Sequence, residues 1–168
     1  MNTEKYKKIL IVGDAGRGKS TLAKNLSKKL GIKHFELDDI FWLKKYSIRR
    51  TNEEHIKLVM DLLDKESSWI IEGSTRHMVA LCFDSADCII NLSFKNIFTQ
   101  WNKIIKRNIK EKGSLKETYL FCVQVFKKRY GIGNSKGKKT IREMIIPYSD
   151  KVIELNSRKE IDNLIENI

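Results

Sequence analysis

Hydrophobic positions along the chain fall into two alternating kinds of run. Lys8 to Val12, His34 to Leu37, Trp69 to Ile71, Cys88 to Leu92 and Val152 to Leu155 are short, mostly apolar and strand-length. Between and after them the apolar residues take helical spacing. Leu22, Ala23, Leu26 and Leu30 predict a helix over Lys19 to Leu30, and Ile56, Val59, Leu62 and Leu63 predict one over Asn52 to Lys65. Ile161, Leu164, Ile165 and Ile168 predict a third at the C-terminal end. Cap signals agree with these limits. Gly31 suits the left-handed residue that ends a helix, Lys28 and Lys29 suit its negative last turn, and Thr51 with Glu54 and Ser157 with Glu160 have capping-box spacing.

Strands that are apolar throughout, separated by helices, imply a parallel sheet covered on both faces and joined by right-handed crossovers. The expectation is therefore an α/β protein of three layers, α/β/α, with a five-stranded parallel sheet. Its 168 residues, with no internal repeat or low-complexity linker, suit one domain over residues 1–168.

One stretch departs from this alternation. Ile97, Phe98, Trp101, Ile104 and Ile105 have helical spacing, a break follows near Gly113, and a second apolar stretch runs from Leu115 to Phe126 before Gly131, Gly133 and Gly137. Charge singles out the same stretch. Of 33 Lys and Arg and 21 Asp and Glu in the chain, 14 and 2 lie between Lys95 and Arg142, leaving 19 of each elsewhere. The whole net charge of +12 belongs to this segment. Such a concentration points to an anionic partner, either a nucleotide's phosphates or a nucleic acid.

The loop after the first strand carries the most specific chemistry. Gly13-Asp14-Ala15-Gly16-Arg17-Gly18-Lys19-Ser20 fits G-x-x-x-x-G-K-[ST] in full, and Thr21 continues into the helix. Glycines let successive backbone N–H groups turn toward a polyphosphate, and the helix N-terminus adds partial positive charge. Lys19 then reaches the β- and γ-phosphates, and the Ser20 hydroxyl is a Mg²⁺ ligand. This implies a P-loop NTPase fold that uses ATP and Mg²⁺. There is no Asn-Lys-x-Asp for guanine and no convincing Asp-x-x-Gly after the third strand, against a GTPase switch; a self-contained motor is a poor fit at this length. A small phosphotransferase remains, with a nucleoside triphosphate and a small-molecule acceptor as partners.

Three further elements carry a family resemblance over most of the chain, from Ile9 to about Arg107 and again from Val152. Leu37-Asp38-Asp39-Ile40-Phe41-Trp42, Trp69-Ile70-Ile71-Glu72-Gly73 and Ala86-Asp87-Cys88-Ile89-Ile90 resemble elements of the adenylate-kinase-like P-loop kinases, and within them of the FlaR-like proteins, which carry the name DNA topology modulation proteins. The resemblance implies a small-molecule or nucleotide kinase with a helical lid, here the basic subregion of about 105–142. Adenylate kinases end the third strand Asp-Gly-Phe-Pro-Arg; here it reads Glu72-Gly73-Ser74-Thr75-Arg76. That places Glu72 near Mg²⁺ through water, the alternative being a helix N-terminal charge, and Arg76 on an anionic group of the acceptor, the alternative being a surface ion pair. Of Asp38 and Asp39, Asp38 matches the family element and is expected to orient or deprotonate the acceptor hydroxyl at the sheet edge where open α/β folds bind ligands. Trp42 lines the acceptor pocket or joins the core. Among lid arginines that close over the phosphates, Arg107 comes first, then Arg129 and Arg142. Asn102 or Lys103 stands where adenylate kinases have an adenine-stacking arginine, so base preference is open.

The competing reading is a nucleotide-regulated nucleic-acid-binding protein with little or no kinase activity, motivated by the basic segment and the family's name. The opening eight residues are too polar for a signal peptide, no run approaches the ~20 apolar residues of a membrane helix, and Cys82, Cys88 and Cys122 lack metal spacing. A cytoplasmic protein with reduced thiols, no membrane association and a monomeric or homodimeric state is expected.

Overall fold

A computed structural model describes residues 6–44, 48–93, 101–102, 104–106, 109, 114–130, 132 and 136–167. Five parallel strands form the central sheet: β1 (Lys8–Gly13), β2 (His34–Glu36), β5 (Trp69–Gly73), β6 (Cys88–Leu92) and β7 (Val152–Leu155), in the order β2-β5-β1-β6-β7. A small antiparallel hairpin, β3 (Trp42–Lys44) and β4 (Ile48–Arg49), stands apart from it. The helices are α1 (Lys19–Leu30), α2 (Leu37–Phe41), α3 (Asn52–Lys65), α4 (Arg76–Ala80), α5 (Leu115–Tyr130), α6 (Ile141–Met144) and α7 (Arg158–Glu166), with a 3-10 turn at Ile146–Lys151.

The sheet is covered on both faces, as fully apolar strands require. On one face Leu10, Val12, Ile71 and Ile89 pack with Val59 and Leu63 of α3 and Met78 and Val79 of α4. On the other, Ile9, Ile11, Ile70 and Ile90 pack with Leu22, Ala23 and Leu26 of α1 and Ile161 and Leu164 of α7. Successive residues of β1 serve opposite layers because side chains alternate along a strand. The three-layer α/β architecture with a five-stranded parallel sheet is what the patterning predicts.

Local signals hold at the helix ends. Gly31 closes α1 at φ 67°. At α3 the Thr51 hydroxyl accepts from the Glu54 N–H at 3.3 Å, while the Thr51 N–H donates to the Glu54 carboxylate at 2.8 Å. At α7 the Ser157 hydroxyl accepts from the Glu160 N–H at 3.2 Å. Burial pushes the Cys82 and Cys88 thiols up to about 12, so both are unreactive side chains of the core.

One expected boundary changes, and two short elements follow it. The second strand ends at Glu36, because Leu37 turns inward as the first residue of the five-residue α2 and is fully buried. It sits so close to Gly73 that a Cβ there would lie 2.8 Å from Leu37 Cδ1. The β3–β4 hairpin follows, held by Arg50, whose guanidinium donates to the carbonyls of Ile40 at 3.0 Å and Trp42 at 2.7 Å. Neither element has enough residues to show a period. Among the described residues no helix is long and apolar enough to cross a membrane.

Candidate active site

Among the described residues, the motif residues and the acids Glu36, Asp38 and Glu72 gather at the C-terminal edge of the sheet, where open α/β folds bind ligands. β1 ends at Gly13 with φ 137°, where an added Cβ would meet the Leu92 carbonyl at 2.7 Å; only glycine lets the chain leave the strand here. Gly18, at φ 94°, precedes α1 without a side-chain cap, and the first turn of α1 holds no acid. Its leading N–H groups and partial positive charge are thereby left for an anion.

Lys19 and Ser20 turn toward the neighbouring strand β5. The Lys19 ammonium donates to the Asp14 carbonyl at 3.2 Å and lies 4.0 Å from the Glu72 carboxylate; both side chains are largely buried. The Ser20 hydroxyl donates to the other Glu72 oxygen at 2.5 Å, so the two residues named from the motif and the acid named from the third strand form one connected group. Glu36, paired across the β2–β5 ladder with Glu72, adds a second carboxylate, and Lys24 approaches it at 3.6 Å. A serine hydroxyl and carboxylates are a donor set for a hard cation such as Mg²⁺.

A cleft of about 570 Å³ opens over this group. Asp14, Ala15, Gly16, Gly18, Lys19, Ser20 and Thr21 form its floor, and Asp38, Phe41, Trp42, Ser74 and Thr75 one wall. Asp38 lies in the first turn of α2 rather than on the strand, still at the sheet edge. Trp42 faces the cleft, edge-on to Phe41 with ring centroids 5.1 Å apart, and the Arg49 guanidinium lies 5.2 Å from its ring centre. The opposite wall comes from the basic segment: Ile104, and Phe121, Gln124 and Val125 of α5. Ile104, Cys122 and Val125 form a small cluster against which Ala15 packs, so α5 meets the phosphate loop directly.

Other expected residues line a second recess beside the loop. Gly13, Asp14, Arg17, Arg76, Ser93, Thr140 and Arg142 line this recess of about 230 Å³. Arg17 is 2% exposed, 3.9 Å from the Asp14 carboxylate. Arg142 belongs to α6, which is anchored in the core through Ile141 and Ile145, rather than to α5. Arg107 lies outside the described residues, as does the side chain of Arg129, whose backbone is part of α5.

Sequence reasoning passed over Glu36, Gln124 and Arg158. Glu36 carried a signal, an acid two residues before Asp38 at the end of a strand. Arg158 follows the Ser157 cap, pairs with Asp162 at 3.0 Å, and brings a guanidinium nitrogen to 3.7 Å from the point a Gly18 Cβ would occupy. Gln124 gave no signal, because nothing local says which face of α5 meets the loop.

No family model matches the chain. The uncharacterized protein YqaC of Bacillus subtilis (strain 168) is 38% identical over 68 residues, a stretch covering 40% of this chain and 38% of that protein, so the match spans well under half of the relative's length. Solved structures align far more completely. A shikimate kinase from Acinetobacter baumannii, in complex with shikimate, superposes with a TM-score of 0.56 at 14% identity, over 97% of this chain and 93% of its own. A gluconokinase from Sinorhizobium meliloti 1021 gives 0.53 at 10%, over 95% and 87%, and an uncharacterized protein from Eubacterium ventriosum ATCC 27560 gives 0.57 at 15%, over 96% and 98%. The chain has the α/β fold of P-loop kinases such as shikimate kinase.

Proposed function

We propose that the chain is an ATP-dependent small-molecule kinase that transfers the γ-phosphate to a hydroxyl of a nucleoside, a nucleoside monophosphate or a similar hydroxylated metabolite. The observation that carries this reading is the convergence of Lys19, Ser20, Glu72 and Asp38 on one cleft, though they come from three separate parts of the chain. Lys19 would leave its weak contact with Glu72 for the β- and γ-phosphates, where charge develops during transfer. Ser20, with Glu72 through water, would hold Mg²⁺, which neutralises phosphate charge when bound. Asp38 would accept or orient the acceptor's hydroxyl proton from the wall opposite α5. Phe121, Gln124 and Val125 would exclude water above the phosphates, with Arg107 and Arg129 as the cationic residues of that cover.

Arg76 and Arg142 line the second recess with Arg17, a cationic site suited to an anionic group and distinct from the cleft that holds Asp38 and Trp42. The elements at Leu37–Trp42 and Trp69–Gly73 build the cleft wall and the Glu72 strand, and on their resemblance we place the chain nearest the FlaR-like group. A second reading, binding of nucleic acid, draws on the basic segment and on the exposed Tyr119 and Tyr130 of α5.

The deciding experiment mixes protein, Mg²⁺ and γ-labelled ATP with panels of nucleosides, nucleoside monophosphates and hydroxylated metabolites. Label on one acceptor class, lost in Lys19→Ala, is the expected result. ATP binding with no labelled acceptor, together with DNA affinity that falls steeply with salt, would replace the kinase reading by the second one.

A further inference from the structure

The parallel ladder between β2 and β5 sets His34 beside Ile70 and Glu36 beside Glu72. His34 and Glu36 are two apart on one strand and so share a face, and Glu72 is Glu36's direct neighbour on that face. The result is one imidazole and two carboxylates whose ligand atoms all lie within 4.8 Å of one another. Two carboxylates side by side repel, and each already has a cation nearby: Lys24 at 3.6 Å from Glu36 and Lys19 at 4.0 Å from Glu72. The Lys24 side chain is two-thirds exposed, so it can withdraw into water at little cost.

The histidine supplies a separate observation. Its Nε2 atom is fully buried and has no hydrogen-bond partner, a condition that native structures resolve with an ion or a water. A metal ion bound at that nitrogen would fill its lone pair and neutralise both carboxylates at once. Imidazole with carboxylates is a mixed donor set that suits first-row transition ions, whereas Mg²⁺ prefers oxygen alone.

We infer that His34, Glu36 and Glu72 form a binding site for a divalent transition-metal ion, of the Mn²⁺ or Zn²⁺ kind, which shares Glu72 with the site proposed for the cation of a nucleotide but is loaded without one. The site needs neither nucleotide nor acceptor, so it stands or falls independently of the kinase reading. Because Glu72 also accepts from Ser20, a metal here would compete for the contact that links the sheet to the phosphate loop.

The test is calorimetric titration of tag-free, metal-stripped full-length protein with ZnCl₂ and with MnCl₂, without nucleotide, alongside MgCl₂. One equivalent of Zn²⁺ or Mn²⁺ should bind at least ~10-fold more tightly than Mg²⁺, and His34→Ala and Glu36→Gln should each weaken it by at least ~10-fold. Circular dichroism of both variants confirms that they are folded, and Glu36→Gln keeps the test open if His34→Ala is not. His77→Gln serves as control, since His55 and His77 form the other imidazole pair. Absence of binding, binding unchanged in the folded cluster variants, or binding lost in His77→Gln would each overturn the assignment.

Discussion

The strand, loop and helix from Lys8 to Leu30 and the basic helix from Leu115 to Tyr130 meet at Ala15 but are built differently. In the first, Ile9 to Val12, Leu22, Ala23 and Leu26 are all fully buried, and the loop backbone is forced by a glycine that no other residue can replace. In the second, the buried residues among those described are Thr118, Cys122 and Val125, one stripe at i, i+4 and i+7, while Leu115, Tyr119, Leu120 and Tyr130 remain at least half exposed. The first region has its geometry set before any ligand arrives. The second is held by a three-residue cluster, Ile104, Cys122 and Val125. That contrast suits a preorganised phosphate cradle beneath a cover of low local stability.

The largest expected effect breaks the cradle chemically. Lys19→Ala should lower kcat/KM for phosphate transfer by at least ~10²-fold, because a donor aimed at developing charge is lost. Its melting temperature should stay close to that of the parent, since Ser20 still satisfies Glu72. Asp38→Asn should give a comparable fall, ~10² to 10⁴-fold, concentrated in kcat; a change in KM alone would remove Asp38 from the proton-handling role.

Hydrogen exchange probes the mechanical side of the comparison. Amides of β1 should exchange at least ~10²-fold more slowly than those of α5, because β1 opens only with the whole domain. Equal protection in the two would show that the cover is as firmly held as the cradle.

Gly13→Ala should cost about 1–3 kcal/mol in chemical denaturation, through a disfavoured φ and the clash with the Leu92 carbonyl. Leu115→Ser, 73% exposed on α5, should stay within about 0.5 kcal/mol of the parent. Similar losses from the two would erase the distinction.

The smallest effect concerns the cleft's aromatic wall. His55 and His77 face each other through their Nε2 atoms at 3.0 Å, and Phe41 packs against both rings. Burial and then the proximity of His55 hold the His77 pKa below its ordinary 6.5. A depressed histidine disfavours the protonated folded state, so its contribution is intact above pH 6.5 and is lost as pH falls through the lower folded value. Because His77 is exposed, the effect is screened and modest. The parent's denaturation midpoint should decline on acidification below pH 6.5, and His77→Gln should lessen that decline; identical profiles would remove the pair as its source.

Much of this organisation is legible in residue order because it is local. The phosphate loop, its strand and its helix occupy one continuous stretch, and glycine freedom, capping and side-chain periodicity act over a few residues at most. The five strands, the caps at Thr51 and Ser157, the left-handed Gly31 and the burial of the cysteines follow from the same short-range rules. The short α2 and the β3–β4 hairpin do not. Leu37 turns inward because Gly73 leaves room for it, and Arg50 gathers carbonyls from a preceding turn.

What the sequence by itself determined is the kind of fold and the P-loop motif with its strand and helix. The tertiary structure decided what meets it. The order β2-β5-β1-β6-β7 lays Glu36 and His34 against Glu72, while the packing of the layers brings α5 and Arg158 of α7 to the loop and gathers Arg17, Arg76 and Arg142 in one recess. Those partners lie tens of residues or more apart along the chain, and no spacing rule links them, because their proximity results from strand order and layer packing acting on the whole domain at once.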